Sequence, residues 1–83
     1  MKTIILTHAA AKDLDSLEGD VRERVGEAIA SYATTGRGDV KKLTGRDGYR
    51  MRVGRYRAIF AEDAETILAV YIGKRETITY SRN

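Results

Sequence analysis

Apolar and polar positions change period several times along the chain, and each change predicts an element. From Lys2 to Thr7, Ile4 and Leu6 alternate against Thr3 and Ile5, the period of a short strand. The period then lengthens. Ala10, Leu14 and Leu17 share one stripe of a helix over about His8–Leu17, with Thr7 placed to cap it. Gly19 breaks that pattern, and Asp20 with Glu23 three positions on forms a capping-box signature for a second helix. In that helix Val21, Val25, Ala28, Ile29 and Tyr32 follow the 3.6-residue repeat, and Thr34-Thr35-Gly36 ends it. Two amphipathic helices with a short connection make a helical hairpin. Arg37 to Gly48 reads as a basic, glycine-containing loop.

Strict alternation returns at 49–61. Gly54-Arg55 lies between Val53 and Tyr56, and glycine at the first central position suits a type II′ hairpin turn. That turn sets a register: Val53 opposite Tyr56, Arg52 opposite Arg57, Met51 opposite Ala58, Arg50 opposite Ile59. Glu62–Glu65 is a polar turn. The nearly continuous apolar run Thr66–Ile72 predicts a central strand covered on both faces. Gly73 predicts a bulge or bend, and Glu76–Tyr80 a last strand or extended tail. The expectation is one domain over 1–83 of class α+β. Its order is β-α-α-β-β-β(β): a twisted, mainly antiparallel sheet with an N-terminal helical hairpin packed on one face.

The predicted hairpin sorts its residues sharply. Tyr49, Met51, Val53, Tyr56, Ala58 and Phe60 share one face, and Arg50, Arg52 and Arg57 share the other. Like charges directly opposite one another destabilise a sheet, so this second face needs a reason. Two readings stand open. It is a solvated strand face that blunts aggregation, or it binds a polyanion, for which planar, permanently charged donors are suited.

Charge distribution moves the picture toward the second. The net charge of +3 divides into −2 over residues 1–40 and +5 over residues 41–83. This asymmetry points to nucleic acid, or to an acidic protein, on one side of a small domain. Lys41, Lys42 and Arg46 in the loop form an electrostatic rim beside the arginines, or a plain surface connection. There is no cysteine, which fits a reducing compartment. The lone histidine, His8, leaves no two-histidine acid/base pair and no evident transition-metal ligand set; at the start of its helix it reads as polar surface. No segment is long and apolar enough to span a bilayer.

With these residues in place the chain resembles the RelE/ParE superfamily of bacterial toxin–antitoxin toxins over nearly its whole length. The resemblance rests on Ala10-Ala11-Lys12-Asp13-Leu14, on Lys42-Leu43-Thr44-Gly45, on Tyr49 through Phe60, and on Ile72-Gly73-Lys74-Arg75. The superfamily divides into RelE types, which cut messenger RNA in the ribosomal A site, and ParE types, which poison DNA gyrase. Matched one by one, the basic positions of RelE types fall on Arg50, Arg52, Arg57 and Arg75, and their late tyrosine on Tyr80. RelE itself carries lysines where this chain has Arg50 and Arg52. Arginine clamps phosphate firmly but carries protons poorly.

The resemblance implies a cytoplasmic, metal-independent endoribonuclease without cofactors. Its expected partners are a cognate antitoxin in a hetero-oligomer, the ribosome and messenger RNA. Arg57, Arg75 and Tyr80 are the expected catalytic residues, and Arg50, Arg52, Lys41, Lys42, Arg46 and Lys74 the expected phosphate contacts. A ParE-like gyrase inhibitor and a non-catalytic nucleic-acid-binding module of the same fold stay open as alternatives.

Overall fold

In the computed structural model the described residues are 1–74. The expected final strand over 76–80 lies outside them. The elements follow the expected order with one addition: β1 (Thr3–Leu6), α1 (His8–Asp15), α2 (Gly19–Thr35), β2 (Val40–Lys42), β3 (Tyr49–Val53), β4 (Tyr56–Glu62) and β5 (Thr66–Lys74). The five strands form a single sheet in the order β1-β5-β4-β3-β2. Three of its pairings are antiparallel, and β1 runs parallel to β5. The helical hairpin intervenes between β1 and the rest, so β1 returns to the sheet as an edge beside the last strand.

Local chemistry explains most boundaries. The Thr7 hydroxyl accepts the Ala10 N–H at 3.1 Å and caps α1. Helix α2 starts one position before the expected cap. Glu18 is its N-cap, without a side-chain hydrogen bond, and Asp20 lies inside the first turn. The capping box is therefore not formed, and Asp20 instead places negative charge at the positive end of the helix dipole. Gly36 closes the helix, its N–H donating to the Tyr32 carbonyl. The segment read as an open loop contains β2: Val40, Lys41 and Lys42 pair with Met51, Arg50 and Tyr49. Three residues carry too short an alternation to register as a strand, and pairing with β3 makes them one.

The core lies between the helices and one face of the sheet. Ala10, Val25, Ile29 and Ala33 meet Met51, Ala58, Phe60, Ile67, Ala69 and Ile72, all at most 5% exposed. Phe60 packs between Tyr49, nearly parallel at 5.7 Å, and Tyr32, tilted at 5.6 Å. At the edge of this layer the Tyr32 hydroxyl and the Lys2 ammonium both donate to the Glu62 carboxylate. The trio ties α2 to β4 and to the start of the chain. Burial opposes the Glu62 charge, but the bonds from Lys2 and Tyr32 outweigh it and hold this carboxyl below its ordinary range. Burial and the same carboxylate push the Tyr32 hydroxyl up to about 12.

Among the described residues no helix lies over the other sheet face. Ile5 of β1 is 47% exposed and Val70 of β5 39%, so among the described residues the helices cover β5 on one face only, against the expectation from its apolar run. The β4–β5 ladder also slips between Ile59 and Phe60. Phe60 pairs with Ala69 and Ile59 with Tyr71, which leaves Val70 as the extra residue of a bulge. The irregularity expected at Gly73 is thus three residues earlier.

Candidate nucleic-acid interface

The hairpin of β3 and β4 has the register its turn chemistry demands. Gly54 adopts φ 60° and, among the described residues, no non-glycine residue has positive φ, the signature of a type II′ turn with Gly at its first central position. Val53 pairs with Tyr56, Arg52 with Arg57, Met51 with Ala58 and Arg50 with Ile59. Met51 and Ala58 are buried toward the helices. Alternation then puts Arg50, Arg52 and Arg57 on the uncovered face.

Adjacent strands extend this face in two rows. One row reads Lys41, Arg50, Ile59, Tyr71 across β2, β3, β4 and β5. The next reads Arg52, Arg57, Gly73 across β3, β4 and β5. Four cations therefore occupy neighbouring register positions, and no acidic residue occupies a paired position among them. Asp39 stands one step beyond β2; its carbonyl accepts the Arg52 N–H at 3.0 Å. The three arginines are half-buried, and the Arg50 Nε is buried with no hydrogen-bond partner among the described residues. A buried donor of that kind is uncommon in folded proteins.

The expected site residues divide by position. Arg50, Arg52, Arg57 and Lys41 lie together on the uncovered face. Lys42 registers with Tyr49 and Lys74 with Tyr56, positions that alternation assigns to the helix side of the sheet. Arg46 is exposed in the connection between β2 and β3. Arg75 and Tyr80 lie outside the described residues. Two residues of this region escape a sequence reading. Tyr71 sits in an apolar run, and simple alternation from Ile67 and Ala69 would bury it in the core; the bulge at Val70 turns it onto the arginine face. Asp13 in α1 accepts the Ile72 N–H at 3.1 Å and holds β5 just past the end of its pairing with β1. A carboxylate in a helix gives no sequence signal of a bond to a strand 59 residues away.

Comparison with known proteins agrees with this architecture. The family described as "ParE toxin of type II toxin-antitoxin system, parDE" matches residues 4–79. Among curated proteins no sequence matches. Of solved structures, the RelB–RelE antitoxin–toxin complex from Methanococcus jannaschii is similar at 26% identity and TM-score 0.75, covering 94% of this chain and 96% of that one. The archaeal RelE–RelB complex from Pyrococcus horikoshii is similar at 25% identity and TM-score 0.75, covering 89% and 94%. The isolated E. coli RelE toxin, at 20% identity, shares the fold, with TM-score 0.76 over 99% of this chain and 96% of that one. With its described residues forming a five-stranded sheet backed by a helical hairpin, and the family match running over residues 4–79, this chain is a member of the ParE toxin family of type II toxin–antitoxin systems, within the RelE/ParE superfamily.

Proposed function

We propose that the chain is a ribosome-dependent endoribonuclease that cuts messenger RNA in the ribosomal A site and so stops translation. The observation that carries this reading is the set of four cations, Lys41, Arg50, Arg52 and Arg57, in adjacent register positions of an uncovered sheet face. A strip of guanidiniums at strand spacing matches the repeated phosphates of one RNA strand better than it matches a single small anion.

In this reading the ribose 2′-oxygen attacks the neighbouring phosphorus and the bond to the 5′-oxygen breaks. The products are a 2′,3′-cyclic phosphate and a 5′-hydroxyl. Arg57 contacts the scissile phosphate and stabilises the extra negative charge of the phosphorane, while Arg50 and Arg52 hold the flanking backbone. Arg75 stands by the leaving oxygen, and Tyr80 stacks on a base or assists the 2′-hydroxyl. Arginine neither takes nor gives up a proton readily at neutral pH. The free protein is then a weak nuclease, and the ribosome supplies the orientation of the 2′-oxygen. The partner that silences it is a cognate antitoxin, as in the antitoxin–toxin complexes of the similar proteins, and the compartment is the cytoplasm.

The match to the ParE family favours a second reading, inhibition of DNA gyrase through protein contact. Primer extension on a reporter message, translated in a purified bacterial system, separates the two. The nuclease gives cuts at defined codon positions only while ribosomes translate. Arg57→Ala lowers that cleavage by roughly 100- to 1000-fold, the usual cost of removing one donor to developing charge. Intact message together with blocked supercoiling by gyrase would replace this reading with the second.

A further inference from the structure

We infer that Tyr71 is a base-stacking residue of the arginine face, holding a nucleobase next to the phosphate bound by Arg57. This rests on the RNA reading above and assigns a contact for the base, which the arginines by themselves do not recognise.

The geometry begins at Gly73. Its backbone is ordinary extended strand, so no turn or left-handed conformation calls for glycine. Space calls for it. A Cβ at this position would lie 2.2 Å from the Tyr71 hydroxyl oxygen and 2.7 Å from the ring carbon bearing it. The Tyr71 ring therefore lies down along β5 over the bare backbone of Gly73. Gly73 is the register partner of Arg57. The ring's hydroxyl end thus reaches the row of Arg52 and Arg57, about 5 Å from the Arg57 position by ordinary cross-strand spacing. Tyr71 is half-buried, on a face over which the described residues place no helix.

An aromatic ring laid flat on a sheet beside cations combines the two elements that single-stranded nucleic-acid surfaces use, a charged track for the backbone and a π-face for a base. A ring recruited only to fill the core would point to the helix side, where Tyr49, Phe60 and Tyr32 already pack. The bulge at Val70 spends a residue to put this one on the other side. A ring laid across glycine also shields strand backbone, and the experiment separates that role from stacking.

The full chain is titrated with a single-stranded oligoribonucleotide and with an abasic ribose–phosphate strand of equal length and charge. The protein has no tryptophan, so Tyr71→Trp supplies a single reporter at the site. The expected result is tighter binding of the base-bearing strand than of the abasic one. Tyr71→Leu reduces that preference by roughly 5- to 150-fold, the range for one stacked base. It leaves affinity for the abasic strand unchanged, which also reports an intact basic face. Tyr71→Phe keeps the preference, and the base-bearing strand alone quenches Tyr71→Trp. If Tyr71→Leu keeps the wild-type preference, or both strands leave the tryptophan emission equal, the ring only covers Gly73 and the inference is overturned while the nuclease reading stands. If Tyr71→Leu loses the abasic strand as well, the tryptophan quench alone decides. Failure of the wild type to bind either strand, with message left intact in the translation assay, overturns both.

Discussion

Arg52 is held opposite Arg57 at an energetic cost, and removing its charge should make the protein more stable and less able to bind RNA. In a two-residue hairpin the pair flanking the turn exchanges both backbone hydrogen bonds, so the next pair, Arg52 with Arg57, is the closer, non-hydrogen-bonded kind. Two unit charges about 6 Å apart repel by roughly 0.7 kcal/mol in bulk water and by roughly 3 kcal/mol at an effective dielectric constant of about 20. Long side chains splay and solvent screens, which brings cross-strand pairs into the range of about 0.2–1 kcal/mol. Attraction from Asp39, which stands across from Arg52 just before β2 and whose carbonyl accepts its N–H, offsets part of this. Arg52→Gln keeps a polar stem and should add about 0.5 kcal/mol. At about 4–8 °C per kcal/mol for a domain of this size, the midpoint rises by about 2–4 °C. Differential scanning calorimetry at low salt and at 1 M salt tests the cause. The Debye length falls to about 3 Å at 1 M, and the difference between variant and wild type should vanish there. The same substitution should lower the magnitude of the log–log salt slope of RNA binding by about 0.7, one phosphate contact on a single strand. A midpoint that falls by several degrees would refute the reasoning, because the guanidinium would then be holding the fold together. So would a gain that persists at 1 M salt.

Two further predictions concern the scaffold. Asp13→Ala should cost about 1–3 kcal/mol by urea denaturation, since the Ile72 N–H loses its acceptor in a half-buried setting; Asp13→Asn, which keeps an oxygen there, should cost less. A loss under about 0.5 kcal/mol for the alanine variant would mean that water replaces the carboxylate without penalty. The Tyr32–Glu62–Lys2 trio should give stability two pH limits. The depressed Glu62 carboxyl contributes above its ordinary 4.5 and is lost as pH falls through its folded value. The Tyr32 hydroxyl, raised from 10.0 to about 12, contributes fully below pH 10, and that contribution is lost as pH climbs from 10 to about 12. Tyr32→Phe should remove its share of the alkaline loss, read as a shallower fall of the urea midpoint over that interval.

Periodicity and turn chemistry made much of this protein legible in advance. The 3.6-residue repeat of Val21, Val25, Ala28, Ile29 and Tyr32 turned that helix face onto the sheet, because burying an apolar stripe is what stabilises a surface helix. Gly54 set the hairpin register residue by residue, since one backbone position with positive φ leaves little choice of turn. From that register the arginine face followed by alternation alone. These are local effects, decided within a few residues.

The rest depended on contacts between distant segments. Val40–Lys42 becomes a strand only because β3 offers an edge, and that pairing brings Lys41 beside Arg50. The apolar run of β5 would suit a strand covered on both faces, yet among the described residues both helices pack on one side of the sheet. The face that Tyr71 occupies turned on a single extra residue at Val70. A period of two has no memory of absolute side, so one bulged residue exchanges the faces of everything after it. The sequence by itself determined which residues are charged, which are apolar and where the chain turns. Tertiary pairing decided which of them share the open face, because strand register is settled by partners far away along the chain.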